Sequence, residues 1–417
     1  LSAVYVIGTG CTPFGKHAAR SFSDLAQSAY LDALQDAGLT PSDAALIEQA
    51  WFGNCGMGQW GQGGIRGQVC FTPLVQSGLF PERVPMVNVE GGCATASLAF
   101  HGAWKDILSG QCQVSLALGV EKLVSPDRPD RAAEIFGTAI DQLQPERWHE
   151  YYTRAGQQIG KPFEIAPGRT VFMDTYAMQA AWHMRRYGST QAQIAVGASK
   201  NHAMGALNPK AQYRFELSPE QVLADRPVSW PLTRAMCSPI GDGAAAALLC
   251  SEKALRELPA ATRERAVRVR ASVLTGGKYR KLDEPGLSRL AAQRAYAAAG
   301  LQPSDIDVAE VHDATSFCEI YQAEMLGFCE IGTGGPFVGS GATALGGRIP
   351  INTSGGLVSK GHPVGATGLS MVYELTGQLR GECGPRQVRG ADIALAENGG
   401  GVIGFDEAAC AVTLLQR

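Results

Sequence analysis

The sequence predicts an α/β fold of five layers, α-β-α-β-α, built from two pseudosymmetric halves. Three observations carry this prediction. Residues 24–43 (DLAQSAYLDALQDAGLTPSD) recur in shortened form at residues 289–305 (RLAAQRAYAAAGLQPSD), which aligns Gly38 with Gly300 and Asp43 with Asp305. Val87-Asn88 ahead of Gly91-Gly92 is matched by Ile351-Asn352 ahead of Gly355-Gly356. Each glycine pair leads into a helical pattern, Ala94 to Leu108 and Ala366 to Leu379, that is nearly free of charge over its first three turns. Helices that apolar belong between layers and not on a wet surface. One strand-helix-strand unit used twice implies two α/β halves, each with a mixed sheet, sandwiching the two apolar helices.

The elements follow in order. Leu1 to Gly10 reads as a strand. The helix after it stops at Gly38, and Pro41-Ser42-Asp43 starts the next short element, a sequence of signals repeated at Gly300 and Pro303-Ser304-Asp305. Leu46 to Phe52, Val84 to Val89 and Val114 to Gly119 are the next apolar runs, and Ala244 to Leu249 closes the first half. In the second half Val308 to Val311 and Ala391 to Ala396 are the corresponding strands. These boundaries divide the chain into a first half of residues 1–125 plus 231–262, an insertion of residues 126–230, and a second half of residues 263–417. Within the insertion, Arg128 to Arg131 and Trp148 to Arg154 read as loops, and Tyr176 to Tyr187 as a helix. An insertion over the active-site end of a sheet is expected to shape a substrate pocket, with an oligomer interface as the alternative.

Composition narrows the function classes. The 417 residues carry a net charge of -3 without a basic stripe, which speaks against nucleic-acid binding. Apolar runs such as Ala244 to Cys250 are too short to cross a membrane, and the N-terminal residues lack the pattern of a signal peptide. Eleven scattered cysteines show neither metal-ligand spacing nor a disulfide framework, so no metal site is expected and a reducing cytoplasm fits.

Four phrases carry chemistry. Cys93 follows Gly91-Gly92 at a strand-to-helix turn, where backbone N–H groups favour a thiolate; alone, a cysteine beside alanines is more often a small buried hydrophobe. His362 lies in the glycine-rich Ser359-Lys360-Gly361-His362-Pro363 phrase, at the second half's counterpart of the Cys93 turn. Pseudosymmetry would bring the two helix starts together, and a nucleophilic cysteine needs such a base. His312 ends the strand Val308 to Val311 and could donate to an oxyanion, whereas Asp313 is expected only to hold its loop. Glu397-Asn398-Gly399-Gly400-Gly401 reads as a glycine loop whose backbone can approach a ligand.

Together these phrases resemble the thiolase superfamily, and within it the sterol-carrier-protein type. The similarity extends to Ile7-Gly8 through Phe14-Gly15, to Ser199-Lys200-Asn201-His202-Ala203, and to Pro231-Leu232-Thr233 with Cys237 through Ala244. The resemblance implies a five-layered thiolase fold and Claisen chemistry on CoA thioesters, with coenzyme A as co-substrate and no permanently bound cofactor. It implies that Cys93 accepts the acyl group, His362 activates it, and His312 helps to hold the enolate. Ser359, Gly361, Asn398, Gly399 and Gly400 are the expected coenzyme A contacts. A homodimeric core, a small zinc-ribbon and OB-fold partner subunit, and substrates from steroid or aromatic degradation are also implied. One such reaction is cleavage of benzoylsuccinyl-CoA, for which Trp148, Tyr151, Tyr152, Arg154 and Arg169 offer aromatic and basic groups.

One departure stands out. The family's second cysteine is absent: Ala314 occupies one of its two possible places and Glu397 the other. The proton role then falls to Glu397, to the substrate or water, or to Cys318, with Glu397 preferred because a partly buried carboxylate has a raised pKa. A condensing acyltransferase, an aldolase-like enzyme and a non-catalytic partner remain as alternatives.

Overall fold

The computed structural model describes residues 3–165 and 170–417. Among the described residues nine strands form one ladder. They are β1 (Val4–Cys11), β2 (Gln49–Gly53), β3 (Met86–Val89), β4 (Val114–Glu121), β5 (Gly243–Ser251), β6 (Val267–Gly276), β7 (Val308–Glu310), β8 (Ile393–Gly400) and β9 (Ala409–Gln416). Their spatial order is β3-β2-β4-β5-β1-β6-β9-β8-β7. The first five strands form one half. The last four repeat it, and a parallel bridge from Ala309 to Ile351 supplies the fifth position. The two expected sheets are thus joined at one corner, where Val4–Val6 pair with Val267–Val269. That pairing removes two exposed edges, which unpaired strands would leave open to association.

The repeated sequence signals are repeated structures. Helix α1 (Phe22–Asp36) begins with Ser21 and Asp24 capping each other's backbone N–H, at 3.1 and 2.8 Å. It ends with Leu39 N–H donating to Leu34 C=O, and the matching helix Leu287–Ala299 ends with Leu301 N–H donating to Tyr296 C=O. These are the bonds of a Schellman end, with Gly38 and Gly300 left-handed at φ 69° and 67°. The shared aspartates start the next turns: Asp43 accepts from Thr40 N–H and Asp305 from Gln302 N–H, each at 2.8 Å.

The layers follow from the core. Helix α2 (Thr95–Leu108) and helix α3 (Thr367–Arg380) lie between the halves, with Ala99, Phe100 and Ile107 packed in one cluster with Leu369, Val372 and Leu375. On the outer faces, Leu25, Tyr30 and Phe71 cover the first half, and Ala291, Ala295 and Leu326 the second. The one acid of α3, Glu374, is buried but paired with Arg386 and with the Thr353 hydroxyl at 3.0 Å. A buried carboxylate is tolerated only with such partners.

The structure corrects two expectations. Trp148 to Arg154 is not a loop but lies within a helix, Pro145–Ile159. Trp148, Tyr152, Ala155 and Ile159 bury one stripe while Arg147, Glu150 and Arg154 stay exposed. The helical period was masked by its aromatic and charged composition. The last glycine phrase is not a loop either. Glu397 through Gly400 continue β8 and pair with Val412 through Ala409. No helix among the described residues is long and apolar enough to cross a membrane.

Candidate active site

The site is built where β8 ends against the turn that carries Cys93. That turn is a single 3-10 turn, Gly92–Ala94, and the α-helix starts only at Thr95. Gly92 has φ 57°, and a Cβ there would stand 2.4 Å from the Gly401 nitrogen. A Cβ on Gly400 would come within 2.2 Å of both Ala94 N and Gly91 O. Only glycine permits this contact, which brings the Gly401 N–H, with Cys93's own N–H, against the Cys93 sulfur. These donors favour a thiolate, yet burial outweighs them and pushes the Cys93 thiol up to about 12. The expectation of a helix start that stabilises the thiolate is therefore corrected: the resting group is a thiol, and it needs a base.

Pseudosymmetry supplies the base as expected. The sulfur of Cys93 and one ring nitrogen from each of His312 and His362 all lie within 4.8 Å of one another. The two imidazoles meet edge to face with ring centroids 5.1 Å apart. Their partners set opposite tautomers. The Thr367 hydroxyl donates to Pro363 C=O at 3.1 Å, so it accepts from His362 Nδ1–H at 2.7 Å. His362 Nε2 is then an unprotonated lone pair, buried without a hydrogen-bond partner among the described residues. Ser97 donates its hydroxyl to Asn398 Oδ1 at 2.8 Å, so the Asn398 amide offers an N–H to His312 Nδ1 at 3.1 Å. His312 must therefore carry its proton on Nε2, as a donor. Burial lowers both rings, His312 to about 4 and His362 well below the ordinary value, the latter also by the neighbouring His312 and Lys360. Both are neutral at physiological pH: one base and one hydrogen-bond donor. A zinc ion would need lone pairs from both rings, and the Asn398 contact denies that of His312.

The remaining residues fall behind this cluster. Along β8, Ala394 and Ala396 face the central helices and Leu395 the outer ones, so Asn398 faces the site and Glu397 the opposite side. Glu397 accepts from His312 N–H at 2.9 Å and from the Cys410 thiol at 3.4 Å. Burial, reinforced by Glu407, raises it to about 8. This geometry makes Glu397 a positioning residue for His312 and keeps its carboxyl out of the cavity. Asp313 accepts from Leu357 N–H at 2.6 Å and from Asn201 Nδ2 at 2.7 Å, which ties the His362 loop to the insertion. Ser359 donates to Tyr213 C=O at 2.9 Å, and Lys360 C=O, next to Gly361, accepts from Gln212 N–H at 2.9 Å. Gly399 packs on the Glu407 side chain.

A cavity of about 180 Å³ opens from Cys93 and His362. Ala314 and Tyr176 line it, and residues of the insertion, Ile135, Phe136, Phe172 and Met173, make its apolar wall. None of Trp148, Tyr151, Tyr152 and Arg154 is in that wall: the first three pack together with Phe405, and Arg154 pairs with Glu150 on the surface. Arg169 lies outside the described residues. Sequence reasoning assigned no role to Thr367, Ser97 and Tyr176. Thr367 stands in the His362 phrase, whereas Ser97 and Tyr176 carry no local signal; Gly401 belongs to the glycine phrase already expected to bring its backbone to a ligand.

Residues 4–227 match the thiolase N-terminal domain and residues 285–413 the thiolase C-terminal domain-like family. An acetyl-CoA acetyltransferase of Methanothermobacter thermautotrophicus is 37% identical over 96% of this chain and 97% of its own length. Sterol carrier protein 2 of Oryctolagus cuniculus is 35% identical, covering 98% of this chain and 73% of that protein. A benzoylsuccinyl-CoA thiolase subunit of Thauera aromatica is 29% identical over 92% of this chain and 91% of its own. Among solved structures, the Ltp2-ChsH2(DUF35) aldolase superposes with a TM-score of 0.77 at 24% identity, over 100% of this chain and 98% of that one. The chain belongs to the thiolase family. It is an enzyme of that family's acyltransferase type, and the two halves bring Cys93, His312 and His362 together in one cluster.

Proposed function

We propose that this chain is a thiolase that cleaves a β-ketoacyl-CoA with free coenzyme A through an acyl-Cys93 intermediate. The observation that carries this reading is the pair of opposite tautomers around one thiol. His362 Nε2 takes the Cys93 proton as the sulfur attacks the keto carbonyl. The departing carbon leaves as a thioester enolate, whose oxygen is held by His312 Nε2–H; such donors carry much of the stabilisation in reactions of this kind. Gly401 and Cys93 N–H groups, beside the sulfur, serve the oxyanion of the acyl half. The thiol of free coenzyme A then collects the acyl group, and Cys93 recovers its proton from His362.

The wall of Ile135, Phe136, Phe172 and Met173 supports an apolar, ring-sized acyl group. An apolar cavity of about 150 Å³ holds one benzene, and this one is slightly larger. An aryl substrate such as benzoylsuccinyl-CoA fits that wall, and the similarity to a benzoylsuccinyl-CoA thiolase subunit supports it. Among the described residues lining the cavity there is no Lys or Arg for its carboxylate. Run in reverse, the same groups would condense two thioesters. A homodimeric core and a small second subunit belong to this proposal, the latter supported by the likeness in fold to the Ltp2-ChsH2(DUF35) aldolase. So does a cytoplasmic setting, supported by eleven free cysteines.

The test is intact-mass analysis after incubation with acetyl-, hexanoyl- and benzoyl-CoA. Acyl adducts that map to Cys93 and vanish in Cys93→Ala are expected, with benzoyl accepted. Absence of an adduct with all three would overturn the acyl-enzyme reading.

A further inference from the structure

The proposed cleavage leaves one task unassigned: a proton must reach the α-carbon of the departing enolate. The titratable groups lining the cavity are Cys55, Glu90, Cys93, Tyr176, Cys237 and His362. Cys93 carries the acyl group and His362 holds the proton taken from it. The Cys55 thiol donates to Gly92 C=O at 3.0 Å and lies 2.9 Å from the Thr95 hydroxyl. The Cys237 thiol donates to Thr233 C=O at 3.4 Å. Glu90 is exposed and accepts from Gly92 N–H at 2.6 Å. Glu397 faces away, and Cys318 is buried in the first turn of its helix, 3.5 Å from the Thr315 hydroxyl.

Tyr176 is different. It stands in the middle of the insertion's helix Val171–Tyr187, packed between the central cluster and the cluster around Phe317. Its ring reaches the same cavity as Cys93 and Ala314. Among the described residues its hydroxyl has no hydrogen-bond partner. A tyrosine hydroxyl in a largely apolar site ordinarily finds one. The small Ala314 side chain lines the same cavity.

We propose, on the basis of that cleavage reaction, that Tyr176 is the catalytic acid and base at the α-carbon. In cleavage, the phenol gives its proton to the enolate carbon: the O–H bond breaks, a C–H bond forms, and the enolate's electron pair makes that bond. The phenolate then takes the proton of the incoming coenzyme A thiol, whose sulfur attacks the acyl-Cys93 carbonyl, so tyrosine is restored in each turnover. Burial, with Cys318 and Cys93 nearby, holds the phenol well above its ordinary value. It is therefore protonated at rest, and its phenolate is a base strong enough for a thiol.

The test compares wild type with Tyr176→Phe, which keeps the packed ring and removes a hydroxyl that bonds to nothing among the described residues. The two readings are exchange of acetyl-CoA methyl protons in D₂O, followed by NMR, and alkylation of Cys93 by iodoacetamide, followed by intact mass, a reaction in which no coenzyme A thiol is protonated or deprotonated. The expected result is exchange slowed about 10²-fold or more, the usual contribution of a positioned acid or base, with alkylation within a few-fold of wild type. Exchange within threefold of wild type, with alkylation intact, overturns the assignment. Equal loss of both reactions also overturns it, because Tyr176 would then be shaping the cavity as a whole. If wild type itself acylates at no cysteine, the thiolase reading fails first, and this one with it.

Discussion

Replacing His362 by alanine tests how Cys93 becomes a nucleophile. With the thiol at about 12, the thiolate fraction at pH 8 without a base is on the order of 10⁻⁴. In wild type, the His362 ring stands in the cluster with the sulfur, and its Nε2 has no competing partner among the described residues, so the proton can move as the carbonyl is attacked. A positioned base of this kind contributes roughly 10²- to 10⁴-fold. The His362→Ala variant should therefore acylate about 10³-fold more slowly at pH 8. Its rate should climb about tenfold per pH unit up to at least pH 10, as unassisted thiolate accumulates. Wild type should not weaken between pH 8 and pH 6, because His362 is held well below its ordinary value and stays unprotonated there. Thr367 keeps its bond to Pro363 in the variant, so folding is expected to survive. Added imidazole should restore part of the rate from the vacated space. The assay is rapid-quench intact mass with a reactive acyl-CoA across pH 6–10. A loss below tenfold, or a residual rate independent of pH, would refute the assignment of His362 as base.

Asn398→Leu removes the donor that sets the His312 tautomer; kcat should fall roughly 10²- to 10³-fold, the cost of one oxyanion donor, while Cys93 acylation stays within a few-fold. Equal losses in both would show that Asn398 supports the whole site instead. Glu397 is raised by burial from 4.5 to about 8, so the folded protein keeps a proton that the unfolded chain releases. Stability from this group is therefore lost as pH rises between those values, and Glu397→Gln should raise Tm more at pH 8 than at pH 5, with α-proton exchange unchanged. A Tm difference equal at both pH values, or slowed exchange, would contradict the positioning role. Gly400→Ala drives a methyl into Ala94 N and Gly91 O; it should cost about 1–3 kcal/mol and slow alkylation of Cys93 by iodoacetamide. Wild-type Tm and labelling rate would refute that contact.

The duplicated helix end was legible because its signals are local: a glycine that must be left-handed and an aspartate that caps the next turn do the same work wherever they occur. Cys93, His312 and His362 were legible for a related reason, since glycine-rich phrases at strand ends mark places where backbone and chemistry meet. Glu397 was harder to read. As part of a loop its carboxyl could point anywhere; as part of β8 it alternates with Asn398 and is turned away from the thiol. The insertion's aromatics misled in a similar way, because Trp148 and Tyr152 follow a helical stripe into their own core while Phe136 and Phe172 reach the cavity.

By itself, then, the sequence determined a two-half α/β fold, a nucleophile on one half and a base on the other, since each depends on residues within a few positions of one another. Only the tertiary structure decided which nitrogen of each histidine is protonated and that the resting sulfur is a thiol. It alone showed that the phenol of Tyr176, unpartnered among the described residues, reaches the cavity. The physical reason is the same for all three. Protonation state and orientation depend on burial and on partners distant in the chain, Ser97 with Asn398, Cys93 with Gly401, Tyr176 in one cavity with Cys93, and no local pattern encodes such encounters.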